Sequence, residues 1–163
     1  MSPRDRQFAA LLAEHGISFE TDIRPGANYE VAVEHAGLMY ISGLIPRVQG
    51  VIAPLGKLGA PLSLDEGRQG ARISTLRALA ILQQRLGSLE RVERVLKLNV
   101  FVHSAPDFTQ QSEVADAASE IIYALFAPLG GHTRTSVGVV QLPKNAAVEL
   151  DMVVALQSEP LPC

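Results

Sequence analysis

The sequence is short of the features that mark several protein classes. Its one cysteine, Cys163, is the last residue, so no internal disulfide framework is possible and a structural zinc site would need other ligands. The four histidines, His15, His35, His103 and His132, lie far apart and show no ligand spacing such as His-x-x-x-His, which predicts that no metal is bound. Aromatic residues make up 5% of the chain and the formal charge is -3, with lysines and arginines scattered. Nucleic acid is therefore not an expected partner, because phosphate binding relies on clustered cations and RNA recognition on an aromatic platform. No apolar run reaches the roughly 20 residues needed to cross a bilayer. The opening Met1-Ser2-Pro3-Arg4-Asp5 lacks the apolar stretch of a signal peptide, so the expectation is a cytoplasmic protein without a membrane partner.

What is present describes an ordinary globular chain: 163 residues, 47% hydrophobic and 19% charged, with glycine and proline spread throughout. That length predicts one domain with a sizeable core. Phe8, Leu11 and Leu12 recur at helical spacing within residues 5–15, and Gly16 follows as a stop signal. Strands are predicted over Val31 to Glu34 and Leu38 to Ile45, with a turn at His35-Ala36-Gly37. Residues 46–61 read as a loop with a short strand near Val48 to Ile52.

Ser63-Leu64-Asp65-Glu66 has the spacing of a capping box, which predicts a helix starting there and closing at Gly87. Arg68, Arg72, Arg77 and Arg85 fall largely off its apolar stripe and are expected to form a solvated face. From Arg94 the period changes to two, placing Leu96, Leu98, Val100 and Val102 on one strand face and Val95, Lys97, Asn99 and Phe101 on the other. An amphipathic helix is predicted from Gln111 to Ala127, then strands over Ser136 to Leu142 and Val148 to Leu156. This order fits an α+β layer with helices on one face of a mixed sheet. Val31, Val33, Val137, Val139, Val153 and Ala155 make the other face partly apolar, an excess that self-association would cover.

Three segments together resemble the Rid/YjgF family of reactive-intermediate deaminases, also called the L-PSP endoribonuclease family. They are Ala27-Asn28-Tyr29, Tyr40-Ile41-Ser42-Gly43-Leu44-Ile45-Pro46, and Thr133-Arg134-Thr135-Ser136-Val137-Gly138-Val139 running through Leu142-Pro143 to Val148-Glu149-Leu150-Asp151. The likeness divides the single domain of residues 1–163 into an N-terminal helical extension (1–22), a core (23–156) and a tail (157–163). The extra helix and residues 107–118 look like the longer subfamily. The resemblance implies a chorismate-mutase-like mixed β-sheet with two main helices packed on one face, assembled as a homotrimeric barrel with ligand sites between subunits. It also implies hydrolysis of 2-enamino or 2-imino acids to 2-oxo acids and ammonia, without a cofactor.

By the same resemblance Arg134 matches the arginine that binds the substrate carboxylate, and Glu149 the glutamate that orients water. Tyr29 and Ser42 match residues lining the pocket, and the backbone of Ser136 matches a ligand-binding position. Each has a plainer alternative: an ion pair for Arg134, a solvated strand face for Glu149, the core for Tyr29, a strand-end hydrogen bond for Ser42. Alternation sends Glu149 to the sheet face opposite the helices, together with Asp151. The archetype's pocket asparagine on the second helix has no counterpart in Val114-Ala115-Asp116-Ala117-Ala118. Two other functions stand beside the deaminase: non-enzymatic binding of small carboxylate metabolites, and the endoribonuclease of the older family name.

Overall fold

A computed structural model describes residues 1–157; the rest of the expected tail, Cys163 included, lies outside the described residues. In chain order the elements are α1 (Pro3–Glu14), β1 (Ala32–His35), β2 (Leu38–Leu44), β3 (Arg47–Val48), β4 (Val51–Ile52), α2 (Leu64–Leu86), β5 (Val92–His103), α3 (Gln111–Phe126), β6 (Thr133–Val139) and β7 (Val148–Leu156). The main sheet runs β1-β2-β7-β5-β6, and its pairs are antiparallel except β5 with β6. It is the mixed sheet of an α+β fold, with the helices packed on one side, as the order of elements predicts.

β7 sets the pattern. Its burial alternates along the strand, with Val148, Leu150, Met152, Val154 and Leu156 against the helices and Glu149, Asp151, Val153 and Ala155 on the open face. α2 crosses the covered face, its first turn closed by the Ser63–Glu66 capping box and its end by Gly87 in the left-handed conformation. Arg68 and Arg72 bind Glu120 of α3 at 2.6 and 3.3 Å, which pins the two long helices together.

Four expectations are corrected. Arg77 is not on a solvated face: it is 6% exposed, because α2 packs against β3 as well as the sheet. Val95 is buried and Leu96 exposed, since register shifts between Val92 and Lys97 break the alternation at the start of β5. β6 begins at Thr133 rather than Ser136, because parallel pairing with β5 starts at Lys97 opposite Thr133. Val31 belongs to the core, and β1 starts one residue later. Val33, Tyr40 and Val137 remain 51%, 45% and 41% exposed, so apolar surface persists on the open face. The expected short strand is a two-stranded hairpin, β3 and β4, turning at Gln49 and Gly50 with φ of 49° and 80°. Among the described residues, no helix is long and apolar enough to cross a membrane.

The N-terminal helix is anchored by a buried carboxylate. Ser2 caps α1 by accepting from the Asp5 N–H, with Pro3 opening the first turn, a start two residues before the apolar period becomes visible. Asp5 in turn accepts from the Leu89 N–H at 3.0 Å, Ser88 Oγ at 2.7 Å and Gln83 Nε2 at 2.9 Å. Burial alone would raise the Asp5 carboxyl; the donors around it prevail and hold it far below the usual carboxylate range. Phe8 and the Arg4 guanidinium, 4.9 Å from the Phe126 ring centre, complete the contact.

Asp5→Ala removes a charged acceptor and strands buried donors, so we expect a loss of about 2–3 kcal/mol in urea unfolding at neutral pH. The folded carboxyl titrates below the unfolded one. Its contribution is therefore full above about pH 4 and is lost as pH falls toward the folded value. An Asp5→Ala protein as stable as the wild type would show that α1 is held by its apolar face alone.

Candidate functional site

Glu149 stands on the open face of the central strand β7, opposite Phe101 of β5. Beside it β2 is irregular: the β2–β7 register shifts between Ile41 and Leu44, which brackets Ser42 and Gly43. A Cβ built on Gly43 would collide with Glu149 Oε1, so the carboxylate occupies the space a side chain would fill. Burial raises the Glu149 carboxyl above the ordinary glutamate value, and the charge of Asp151 on the same face raises it further. Asn99 Nδ2 donates to Asp151 at 2.8 Å, which holds that neighbour in place.

A cavity of about 300 Å³ opens at this carboxylate. Tyr29 lines it, with residues 24–27 of the approach to β1; Arg47 and Arg77 form another wall, and Pro143 and Lys144 lie before β7. Tyr29 is 50% exposed, which rules out the core alternative and leaves it on the cavity wall. Ser42 is absent from the lining, and its hydroxyl donates to the Glu30 carbonyl at 2.6 Å. That bond, with the Ser42 N–H to the Val31 carbonyl at 3.0 Å, straps the Tyr29 segment to β2.

Arg134 lies elsewhere. It sits in β6, the sheet's outer strand, opposite Leu98, and its Nη1 donates to Asp116 Oδ1 at 2.8 Å and Ser119 Oγ at 3.0 Å, both on α3. Arg134 thus faces the helices and Glu149 faces away from them. Glu149 is level with Val137 across β5, three residues along β6 from Arg134. At about 3.3 Å per residue and 4.8 Å per strand, the two backbones are about 10 Å apart in each direction, with side chains on opposite faces. One chain therefore brings Glu149 and Tyr29 together and leaves Arg134 and Ser136 apart from them. Ser136 pairs with Val100, on the helix side, in the same edge strand.

The ion pair anticipated as an alternative for Arg134 is present, and it is part of a chain of bonds that spacing did not reveal. His132 Nδ1 lies 2.9 Å from the Gly130 carbonyl, which can only accept, so in that tautomer Nε2 accepts from Ser119 at 3.0 Å. Ser119 in turn receives Arg134. Asp116, in the segment lacking the archetype's asparagine, is the residue that holds the guanidinium. Arg134 Nε and Nη2 carry no such bonds among the described residues. No group of His, Cys, Asp and Glu among them could hold a metal ion.

The sequence and the fold have counterparts. A family model described as "YjgF/chorismate_mutase-like, putative endoribonuclease" matches residues 12–156. The chain is 42% identical over 151 residues to protein TCP17 of Trypanosoma cruzi, covering 92% of this chain and 94% of that one. It is 26% identical over 134 residues to a 2-iminobutanoate/2-iminopropanoate deaminase of Dermatophagoides farinae, covering 82% and 90%. The crystal structure of protein Atu1372 from Agrobacterium tumefaciens, of unknown function, superposes with a TM-score of 0.86 at 32% identity over 94% of this chain and 95% of that one. The chain belongs to the YjgF/chorismate-mutase-like family, also called Rid.

Gly43→Ala is expected to push the Glu149 carboxylate toward solvent and lower its pKa toward the ordinary glutamate value of about 4.3. A carboxyl-selective NMR titration of both proteins checks this; an unchanged Glu149 midpoint would place the carboxylate away from Gly43.

Proposed function

We propose that this protein hydrolyses 2-imino acids, and the enamines in equilibrium with them, to 2-oxo acids and ammonia, in a site that two copies of the chain complete. The observation that carries the reading is Glu149: a half-buried carboxylate in a small cavity, with its proton held more tightly than in water. Ionised, it takes a proton from water as the water oxygen attacks C2. The substrate enters as the iminium, so the electron pair of the C=N bond moves to a nitrogen that becomes neutral, and a carbinolamine forms. Glu149 then returns its proton to nitrogen, ammonia leaves with the C2–N electron pair, and the hydroxyl proton passes to it as C2–O becomes the carbonyl. Water is the only co-reactant. Tyr29 on the cavity wall orients water or substrate.

Arg134 supplies the carboxylate anchor through Nε and Nη2, the bidentate edge that Asp116 and Ser119 leave open while fixing Nη1. Because Arg134 and Glu149 of one chain face opposite ways, the anchor comes from a neighbouring copy, in a homotrimer whose contacts cover Val33, Tyr40, Val137 and the open edge of β6. Ser136 lies on that same edge, where alternate backbone N–H groups point away from β5. A nuclease has less support: His103 is buried and His132 is committed to Ser119 and Gly130.

The test combines trapping with complementation. A dehydratase generates 2-iminobutyrate, semicarbazide traps it, and added protein should suppress trapping. Arg134→Ala and Glu149→Gln should each lose about 10²–10⁴-fold. Co-assembled in equal amounts, they should regain about one quarter of the sites, those pairing an intact Arg134 with an intact Glu149. Wild-type kcat/KM should fall as pH drops through the Glu149 pKa, above the ordinary glutamate range, and this limb should vanish in Glu149→Gln. Trapping equal to buffer alone would sink the reaction, and no regain on mixing would sink the shared site.

The lack of an asparagine in the α3 segment Val114-Ala115-Asp116-Ala117-Ala118 favours a second reading, binding of small carboxylates without turnover. Ligand-induced stabilisation by 2-oxobutyrate, lost in Arg134→Ala and accompanied by unchanged trapping, would select it.

A further inference from the structure

The cavity at Glu149 carries more positive charge than imine hydrolysis uses. Arg24, Arg47, Arg77 and Lys144 line it, and among the described residues Glu149 is its one lining carboxylate. Two of these cations are accounted for: Arg24 pairs with Asp22 where both are exposed, and Lys144 is a solvated lysine at the rim. Arg47 and Arg77 are different. Arg77, in the middle of α2, is 6% exposed, and its Nη1 donates to the Arg47 carbonyl at 2.7 Å. No carboxylate lies within ion-pair distance of it among the described residues, and Glu20 acts on it only from further away. Arg47 Nε is buried and has no hydrogen-bond partner.

A buried guanidinium with no carboxylate in contact, answered by Glu20 only at a distance, is costly, and a donor left unmet beside it adds to the cost. Both lie on the wall of one cavity. The bond from Arg77 to the Arg47 carbonyl ties the Arg77 guanidinium to the main chain that carries Arg47, and Arg47 is four residues from Gly43, whose missing side chain admits the Glu149 carboxylate. An anion entering this corner meets two guanidinium groups, that of Arg77 held by its bond to the Arg47 carbonyl and that of Arg47 with a buried, unmet Nε.

We infer that Arg47 and Arg77 form a second anion subsite within the Glu149 cavity, selecting ligands whose side chain carries a carboxylate or phosphate in addition to the carboxylate held by Arg134. The inference rests on the reading of this cavity as the substrate site and narrows its substrate class to doubly anionic acids. A side chain as short and neutral as that of 2-iminobutyrate leaves both guanidinium groups unanswered; a dicarboxylic 2-imino acid answers them.

Calorimetric titration of the intact protein with 2-oxoglutarate and 2-oxovalerate tests it, since these five-carbon 2-oxo acids differ in the second carboxylate alone; 3-phosphoglycerate is the phosphate arm. Binding is read rather than turnover, so a failed deaminase assay does not bear on the result. A doubly anionic ligand should bind about tenfold more tightly than 2-oxovalerate, as charge-assisted hydrogen bonds to two arginines warrant. Arg47→Gln keeps the backbone carbonyl that Arg77 uses, and should bring the ratio close to one. Arg77→Met, checked for folding by its melting curve, should do the same. Equal wild-type binding of all three overturns the subsite and leaves the Arg134 anchor standing. No binding of any overturns both. A preference that survives Arg47→Gln and folded Arg77→Met also overturns the assignment.

Discussion

A sheet has two faces, and helices packed on one side can dry only that side. In this protein the rule acts most directly on β7, whose odd and even residues meet opposite environments. The covered face is filled by an unbroken series from Val148 to Leu156, while the same alternation forces Glu149 and Asp151 outward. A carboxylate on such a face would ordinarily be solvated. Here the irregular pairing around Ser42 and Gly43 and the approach segment bearing Tyr29 close around it, so a polar position acquires a partly apolar setting without disturbing the core beneath.

The same geometry separates Arg134 from Glu149. Arg134 follows the β6 register onto the helix side, where α3 can hold it, and Glu149 follows β7 onto the other. Asp116 and Ser119 fix one nitrogen of the guanidinium, and Ser119 is itself fixed through His132. Paired hydrogen bonds and an acidic neighbour thus restrain the orientation of this half-buried arginine more than that of a fully exposed one. Asp116 of α3 supplies the guanidinium with charge as well as direction.

Much of this was legible in the sequence because it depends on local rules. The alternation of β7 and the Ser63–Glu66 cap need only neighbours a few residues away, and both appear as expected. The placement of Glu149 opposite the helices followed from the same alternation. What spacing missed depends on contacts distant in sequence. The burial of Arg77 comes from β3, thirty residues earlier, whose backbone accepts its Nη1. The phase change at Val95 and Leu96 comes from a register shift against β7. The network around Arg134 joins α3 to a loop residue, His132, that carried no ligand pattern of its own. In the capped α1, Ser2 and Pro3 were visible signals, yet the docking carboxylate Asp5 acquires meaning only beside Leu89 and Gln83.

The cavity also joins two kinds of backbone. Its floor, at Glu149, belongs to a strand paired on both sides by β2 and β5, so those amides open only when the sheet itself opens. Its outer wall, from Arg24 to Tyr29, lies in a stretch outside every ladder and is tied down by a few bonds such as Ser42 to Glu30. Local opening of that wall is far less costly than opening of the floor. On the function proposed above, ligands would exchange through this soft wall while the carboxylate that meets them stays in register, which would uncouple the rhythm of entry and release from the rigidity of the strand beneath.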